Sequence, residues 1–234
     1  MKRRFGAEIE LHPPRVPYQE AIRKSAKAHG RYKKQTGGRG QFADCHIELM
    51  PGEEGAGLDF RNEIKGGVIP GSFIPAVEKG VAEAMQHGTI AGYPIKDVVV
   101  RLYDGQHHSV DSSEMAFKIA GSMAFKQAME DAGPVLLEPI VKLTVSCPED
   151  VVGDIIGDLN SRRGRPLGME PKGSMTEVKA EVPMAEVLDY APDLRSISGG
   201  RADYTMEFER YEEVPGHLAS KVVASAREGE EVKA

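Results

Sequence analysis

The sequence predicts an α+β protein built as two two-layer domains. Three observations carry this reading. Residues 140–208 follow a β-α-β-β-α-β order, the residues before 133 mix strands and helices of their own, and a proline-bounded break runs from Pro134 to Pro139.

The later half is the clearer. Between 140 and 146, Val141, Leu143 and Val145 alternate with Lys142 and Thr144, the period of a half-buried strand. Pro148, Glu149 and Asp150 suit a first helical turn, where proline sacrifices no hydrogen bond and acids meet the positive end of the helix dipole. Val151, Val152, Ile155, Ile156 and Leu159 follow at helical spacing, with Gly164 as the expected stop. Leu167 and Met169 mark a short strand, 171–174 a turn, and 175–182 an alternating strand. Met184, Val187, Leu188, Leu194 and Ile197 form a second helical stripe, kinked at Pro192 and ended by Gly199 and Gly200. Ala202, Tyr204, Met206 and Phe208 share one face of a last strand. This is the ferredoxin-like, or split βαβ, plan. Right-handed crossovers then put both helices on one face of an antiparallel four-stranded sheet.

In the earlier half, Ala43, Cys45, Ile47 and Leu49 alternate with Asp44, His46 and Glu48 as a strand, and Leu58, Phe60, Asn62 and Ile64 do so less regularly. Ile74, Val77, Val81, Ala84 and Met85 form a helix face that ends near Gly88. Val98, Val100 and Leu102 make another strand, followed by the turn DGQHHSV (104–110). Asp111 and Glu114 fit an N-cap and N3 pair for a helix from about Ser112 to Ala132, with Ala116, Ile119, Ala120 and Met123 inward. A final amphipathic helix, HLASKVVASAREG, lies beyond a second junction at Glu212–Gly216.

Composition narrows the function. No apolar run approaches the ~18–20 residues that span a bilayer, and the N-terminus lacks the apolar segment of a signal peptide. Cys45 and Cys147 sit in alternating apolar stretches, as buried thiols in a reducing compartment would, and no zinc-type spacing accompanies them. The formal net charge is −6, yet residues 23–41 hold seven Lys and Arg and no acid. Salt screens the distant acidic charge over ~8 Å, so this patch can bind phosphate locally.

Three polar segments could carry chemistry. In QTGGRGQF (35–42), glycines allow close backbone approach, Arg39 is a planar fork for phosphate, and Gln41 offers donor and acceptor edges. The competing reading is a hairpin turn beside a solvated basic strand. Gln106, His107, His108 and Ser109 occupy the second loop, where imidazoles can stack on or hydrogen-bond RNA; a plain polar turn competes with that. As strand neighbours, His107 and His108 would point to opposite faces and not share one metal. A triad of Asp104, His108 and Ser109 is disfavoured, because its base and orienting acid must be held by the fold. NSRRGR (160–165) closes a helix, so its arginines either complement the helix dipole or reach RNA phosphate. A P-loop, GxSxG and HExxH are all missing.

The blocks GGRGQF, GGVIPGSFIPAVEKGVAEAM, GYPIKDV, LYDGQHHSVDSSEMAFKIAGSMAF, PVLLEPI, GDLNSRRGRPLGMEP and DLRSISGGRADYTMEFERYEEVP, collinear from about Pro13 to Pro215, resemble bacterial translation elongation factor G. The resemblance implies residues 1–11 as the tail of a preceding domain, 12–135 with 216–234 as a ribosomal protein S5-like domain IV, and 136–215 as a ferredoxin-like domain V. It implies a domain IV tip that enters the decoding centre to promote and lock tRNA–mRNA translocation. The tip loops would be Gly37, Gly38, Arg39, Gly40 and Gln41 with Gln106, His107, His108 and Ser109. Further contacts to ribosomal RNA would come from Lys33, Lys34, Arg162 and Arg163. GTP and Mg would belong to a GTPase domain outside this chain, which itself would hold no cofactor and no metal and do no catalysis. The expected setting is cytoplasmic, on the ribosome, as a monomer with no membrane contact. Two departures, GRGQFADC where the family has an aromatic and Gly-His-Val, and DGQH before the tip histidine, also fit elongation-factor-G-like paralogues. A recycling or ribosome-protection paralogue is therefore the alternative, followed by a stand-alone RNA-binding module.

Overall fold

The computed structural model describes residues 15–35 and 40–231, with side chains described to residue 226. Gly37, Gly38 and Arg39, and the tail expected over 1–11, lie outside the described residues. Backbone contacts divide the chain into two compact units, one containing Tyr18–Leu137 with the segment from Glu213, the other containing Glu138–Glu212.

In the first unit the strands are β1 (Gln19–Ile22), β2 (Ala26–Lys34), β3 (Gln41–Pro51), β4 (Leu58–Asn62) and β5 (Val98–Gln106), with helices α1 (Ile74–Ala84) and α2 (Glu114–Asp131). Four strands form a sheet in the order β2-β3-β5-β4, antiparallel except for the parallel pair β4–β5. Alternation aims Ala43, Cys45, Ile47, Leu49, Val98, Val100 and Leu102 at the helices, and all are essentially buried. Burial pushes the Cys45 thiol up to about 12, helped by the neighbouring Asp44 charge, and both cysteines are free and buried.

The segment 26–34, for which only the competing hairpin reading offered a solvated basic strand, is the strand β2, paired with β3 from Ala26↔Leu49 to Lys34↔Gln41. Its buried residues are Ala28 and Gly30, too small to register as an apolar stripe, with Ala26 and Tyr32 half-buried on the same face, while the outward face carries Lys27, His29, Arg31 and Lys33. Small size is required there. A Cβ on Gly30 would stand 2.1 Å from the Ala120 carbonyl oxygen of α2. The same close approach explains why the inward stripe of α2 is Ala116, Phe117, Ala120, Gly121, Ala124, Phe125, Ala128 and Met129. Met123, expected inward, is exposed, and Ile119 is half-buried. The cap of α2 also differs from expectation: Ser113, not Asp111, is the N-cap and accepts from the Ala116 N–H at 3.2 Å.

β6 (Pro134–Cys147), α3 (Val152–Ser161), β7 (Arg165–Lys172), β8 (Met175–Pro183), α4 (Tyr190–Ser198) and β9 (Asp203–Glu213) follow the expected ferredoxin-like order. The break expected over 134–139 is continuous strand: residues 134–137 of β6 belong to the first unit and pair with β1, and the rest of β6 belongs to the second. β6 pairs with β8 through Ile140–Cys147 and also with β9, and β7 pairs with β8, giving the order β9-β6-β8-β7. Val141, Leu143, Val145, Val178, Ala180 and Val182 meet Ile155, Leu159, Tyr190 and Leu194 in one core. The break in the second helical stripe falls before Tyr190, after a helical turn at Met184–Val187, and not at Pro192. Pro192 stands in the first turn of α4, where its missing N–H would have had no helical partner. The last helix, α5, spans Gly216–Glu231.

Candidate RNA-contacting tip

The polar end of the first unit is built where β3 starts and β5 ends. Backbone and hydroxyl hydrogen bonds stitch its two loops together. The Phe42 N–H donates to the Asp111 carbonyl at 2.9 Å. The Ser112 hydroxyl donates to the Phe42 carbonyl at 2.8 Å and accepts from the His108 N–H at 2.9 Å. Gly40 lies so close to Asp111 that a Cβ there would stand 2.9 Å from its carboxyl carbon.

These bonds bring both sequence-selected loops to one cavity of about 320 Å³. Arg31, Lys33, Lys34, Gln35, Gly40, Gln41 and Phe42 line it from one side, Gln106, His107, His108 and Asp111 from the other. Three cations face one acid across it, so the cavity favours an anionic ligand. Ser109 sits in the exposed turn just beyond and is not part of the lining.

The two histidines lie past the end of β5, so strand alternation does not separate them; both line the cavity. Their hydrogen bonds assign opposite tautomers to the neutral rings. His107 Nδ1 lies 2.9 Å from the Val68 carbonyl, which can only accept, so Nδ1 carries the proton and Nε2 is an acceptor. His108 Nδ1 accepts from the Val110 and Asp111 N–H groups, both at 3.3 Å, so Nε2–H is its donor. Adjacent rings thus offer one acceptor and one donor. Gln41 is narrowed in the same way: the Tyr32 hydroxyl donates to its Oε1 at 3.0 Å, leaving its amide NH₂ for a ligand. The triad is not assembled. The Asp104 carboxylate accepts from the Gly105 N–H at 2.8 Å, and His108 Nδ1 is turned toward its own loop.

Sequence reasoning counted Arg31 only as one charge of the basic patch and did not single out Phe42 or Asp111 as lining residues. The signal for Arg31 was its two-residue spacing from Lys33 in β2, and its guanidinium lies 5.7 Å over the Phe42 ring.

Arg162 and Arg163 are engaged within their own unit. Arg162 reaches Asp158 (2.9 Å), Asp193 (2.6 Å) and the Glu186 carbonyl (2.9 Å), and lies 5.0 Å over the Tyr190 ring. The hydrogen bond it donates to Asp158 holds its pKa above the ordinary arginine value. Arg163 pairs with the buried Glu138 and bonds Glu186, and the Glu138 bond likewise raises its pKa. Arg163 also takes the left-handed position that ends α3, at φ 61°, while Gly164 N–H donates to the Leu159 carbonyl at 2.8 Å. The expected glycine stop is therefore displaced by one residue, and an arginine bears a backbone cost of about 1–2 kcal/mol. Both guanidiniums therefore have partners within the fold.

Comparison with known proteins gives one answer for both units. Residues 14–133 match the family model described as elongation factor G, domain IV, and residues 135–222 match that of the elongation factor G C-terminus. Elongation factor G of Aquifex pyrophilus is 55% identical over 229 residues, which is 98% of this chain and 33% of that protein. A crystal structure from Thermus thermophilus superposes with a TM-score of 0.84 at 47% identity, covering 96% of this chain and 34% of the other. The chain thus spans about a third of the length of these relatives. It belongs to the elongation factor G family, with that family's domain IV followed by its C-terminal domain.

Proposed function

We propose that the cavity end of the first unit is an RNA-contacting tip that works in ribosomal translocation. One observation carries this reading: a basic strand, a glycine-containing loop and a two-histidine loop line a single cavity, with three cations against one acid. Lys33 and Lys34 neutralise phosphate, and the Gln41 amide and the two imidazoles supply directed hydrogen bonds to bases or sugars. No covalent chemistry is needed. After the tRNA–mRNA duplex moves, the tip occupies the vacated space in the decoding centre and disfavours return. Direction comes from GTP hydrolysis, with Mg, on a GTPase domain of a longer cytoplasmic protein that acts as a monomer on the ribosome.

Substituting this chain for the matching third of the Aquifex pyrophilus factor gives a full-length protein for the test. In that chimera the double variant K33E/K34E should bind programmed ribosomes at least about tenfold more weakly. The slope of log affinity against log salt should shrink by about two, one per lost phosphate contact. Unchanged affinity and slope would remove the basic strand from the proposed contact.

A further inference from the structure

We propose that His29, Asp44 and His46 bind one divalent transition-metal cation of the Zn²⁺ class at the root of the tip. Sequence spacing gave no hint of this, since residues 29 and 44 are far apart and follow no zinc pattern; the strand register assembles the trio. His29 and His46 are direct cross-strand partners of β2 and β3, and Asp44 lies two residues before His46 on the same outward face. One ligand atom from each residue can be chosen so that all three lie within 4.8 Å of one another.

The distances suit an ion. A tetrahedral zinc with bonds of about 2.0–2.1 Å holds its donor atoms roughly 3.3 Å apart. His29 Nε2 lies 2.8 Å from Asp44 Oδ2, and His46 Nε2 lies 3.5 Å from Asp44 Oδ1, so each imidazole already stands near that spacing from one oxygen of the shared carboxylate. The imidazoles stack 4.1 Å apart and within 4° of parallel. Splaying them onto one ion takes only side-chain rotation, which is open to them because His29 and His46 are 43% and 33% exposed. The carboxylate, by contrast, is 8% exposed and fixed.

The donor set selects the metal. Two imidazoles and one carboxylate suit zinc and its neighbours, whereas Mg²⁺ and Ca²⁺ require oxygen ligands that are not gathered here. Cys45, between Asp44 and His46 in sequence, is buried on the opposite face of β3, so thiolate ligation is excluded. Arg31 approaches Asp44 at 3.8 Å and competes for the same oxygen as His29, which caps the affinity. Asp44 and His46 also line a shallow depression of about 540 Å³ with Val68, Gly105, Gln106 and His107. Three protein ligands leave a further position for water or an incoming donor, and the ion would tie β2 to β3 beneath the tip loops.

The test uses the 234-residue chain, stripped of metal with a chelator and titrated with ZnCl₂ by calorimetry, with CoCl₂ uptake followed by visible absorption. One equivalent of each should bind saturably, and MgCl₂ should give no heat. H29Q and H46Q should each weaken uptake at least about tenfold. Zinc should also raise the thermal midpoint of the unsubstituted chain, a shift that H29Q abolishes. Absence of saturable zinc uptake by the unsubstituted chain overturns the proposal whatever the variants do. So does one-equivalent uptake that survives both H29Q and H46Q.

Discussion

In the Aquifex pyrophilus chimera, replacing His108 by alanine should slow translocation about 10- to 100-fold and leave ribosome-stimulated GTP hydrolysis within about twofold. His108 Nδ1 is tied to its own loop by the Val110 and Asp111 N–H groups, so Nε2–H is the donor left for a partner. A hydrogen bond to a charged group such as phosphate is worth roughly 1.5–3 kcal/mol, and each 1.36 kcal/mol is a factor of ten in rate. The loss should be confined to the moving step if, as proposed, GTP hydrolysis takes place on a domain outside this chain. Rapid-kinetic measurement of both rates on the same preparation checks this. Parallel loss of the two rates would mean that the substitution damages the domain and not a tip contact.

Replacing Gly80 by alanine should destabilise the first unit by about 3 kcal/mol or more, measured by urea unfolding. Helix propensity alone predicts the opposite, since alanine is favoured over glycine by about 1 kcal/mol in a helix interior. Packing overrides propensity here. A Cβ on Gly80 would stand 2.0 Å from the Lys118 carbonyl oxygen of α2 and 2.9 Å from its carbonyl carbon. Backbone atoms cannot yield as a flexible side chain can, so α1 and α2 must separate and the core they share with the sheet must loosen. Gly157 in α3 provides the contrast: nothing lies within 4 Å of its Cβ position. Alanine there should stabilise by about 0.5–1 kcal/mol. A Gly80→Ala protein as stable as the parent would contradict the close helix crossing.

Much of this architecture was legible because burial leaves a period in the sequence. Val141, Leu143 and Val145 in β6, and Ala43, Cys45, Ile47 and Leu49 in β3, announce their inward faces by strict alternation. The ferredoxin-like order could be read from such stripes alone. Where the core is made of small residues the signal fails. Ala28 and Gly30 carry too little apolar surface to mark β2, and in α2 the stripe included Ala116 and Ala120 but passed over Ala124 and Ala128 for Met123, a larger side chain that faces outward. Local chemistry also misdirected. Asp111 has the right type for a helix cap, but its carbonyl is needed by Phe42 and its carboxylate packs on Gly40, so Ser113 caps instead.

The candidate site divides along the same line. Loop composition in QTGGRGQF and DGQHHSV pointed to Gly40, Gln41, Gln106, His107 and His108, and all five line the cavity. That the loops meet depends on the antiparallel pairing of β3 with β5, which joins residues about sixty apart in sequence. The tautomers of His107 and His108 depend on the Val68 carbonyl and on the loop's own N–H groups. Arginine composition at 162–165 carried no information about partners, and Asp158, Asp193, Glu138 and Glu186 claim two of those guanidiniums.

Photocrosslinking from the tip is the most direct measurement of where it works. A photoreactive amino acid placed at position 41 or at position 108 of the chimera, irradiated on ribosomes stalled during translocation, should join both positions to RNA at the small-subunit decoding centre. Both should react, because the two loops line one cavity. Crosslinks confined to the large subunit, or RNA crosslinks from one loop and never the other, would contradict a shared RNA-contacting tip.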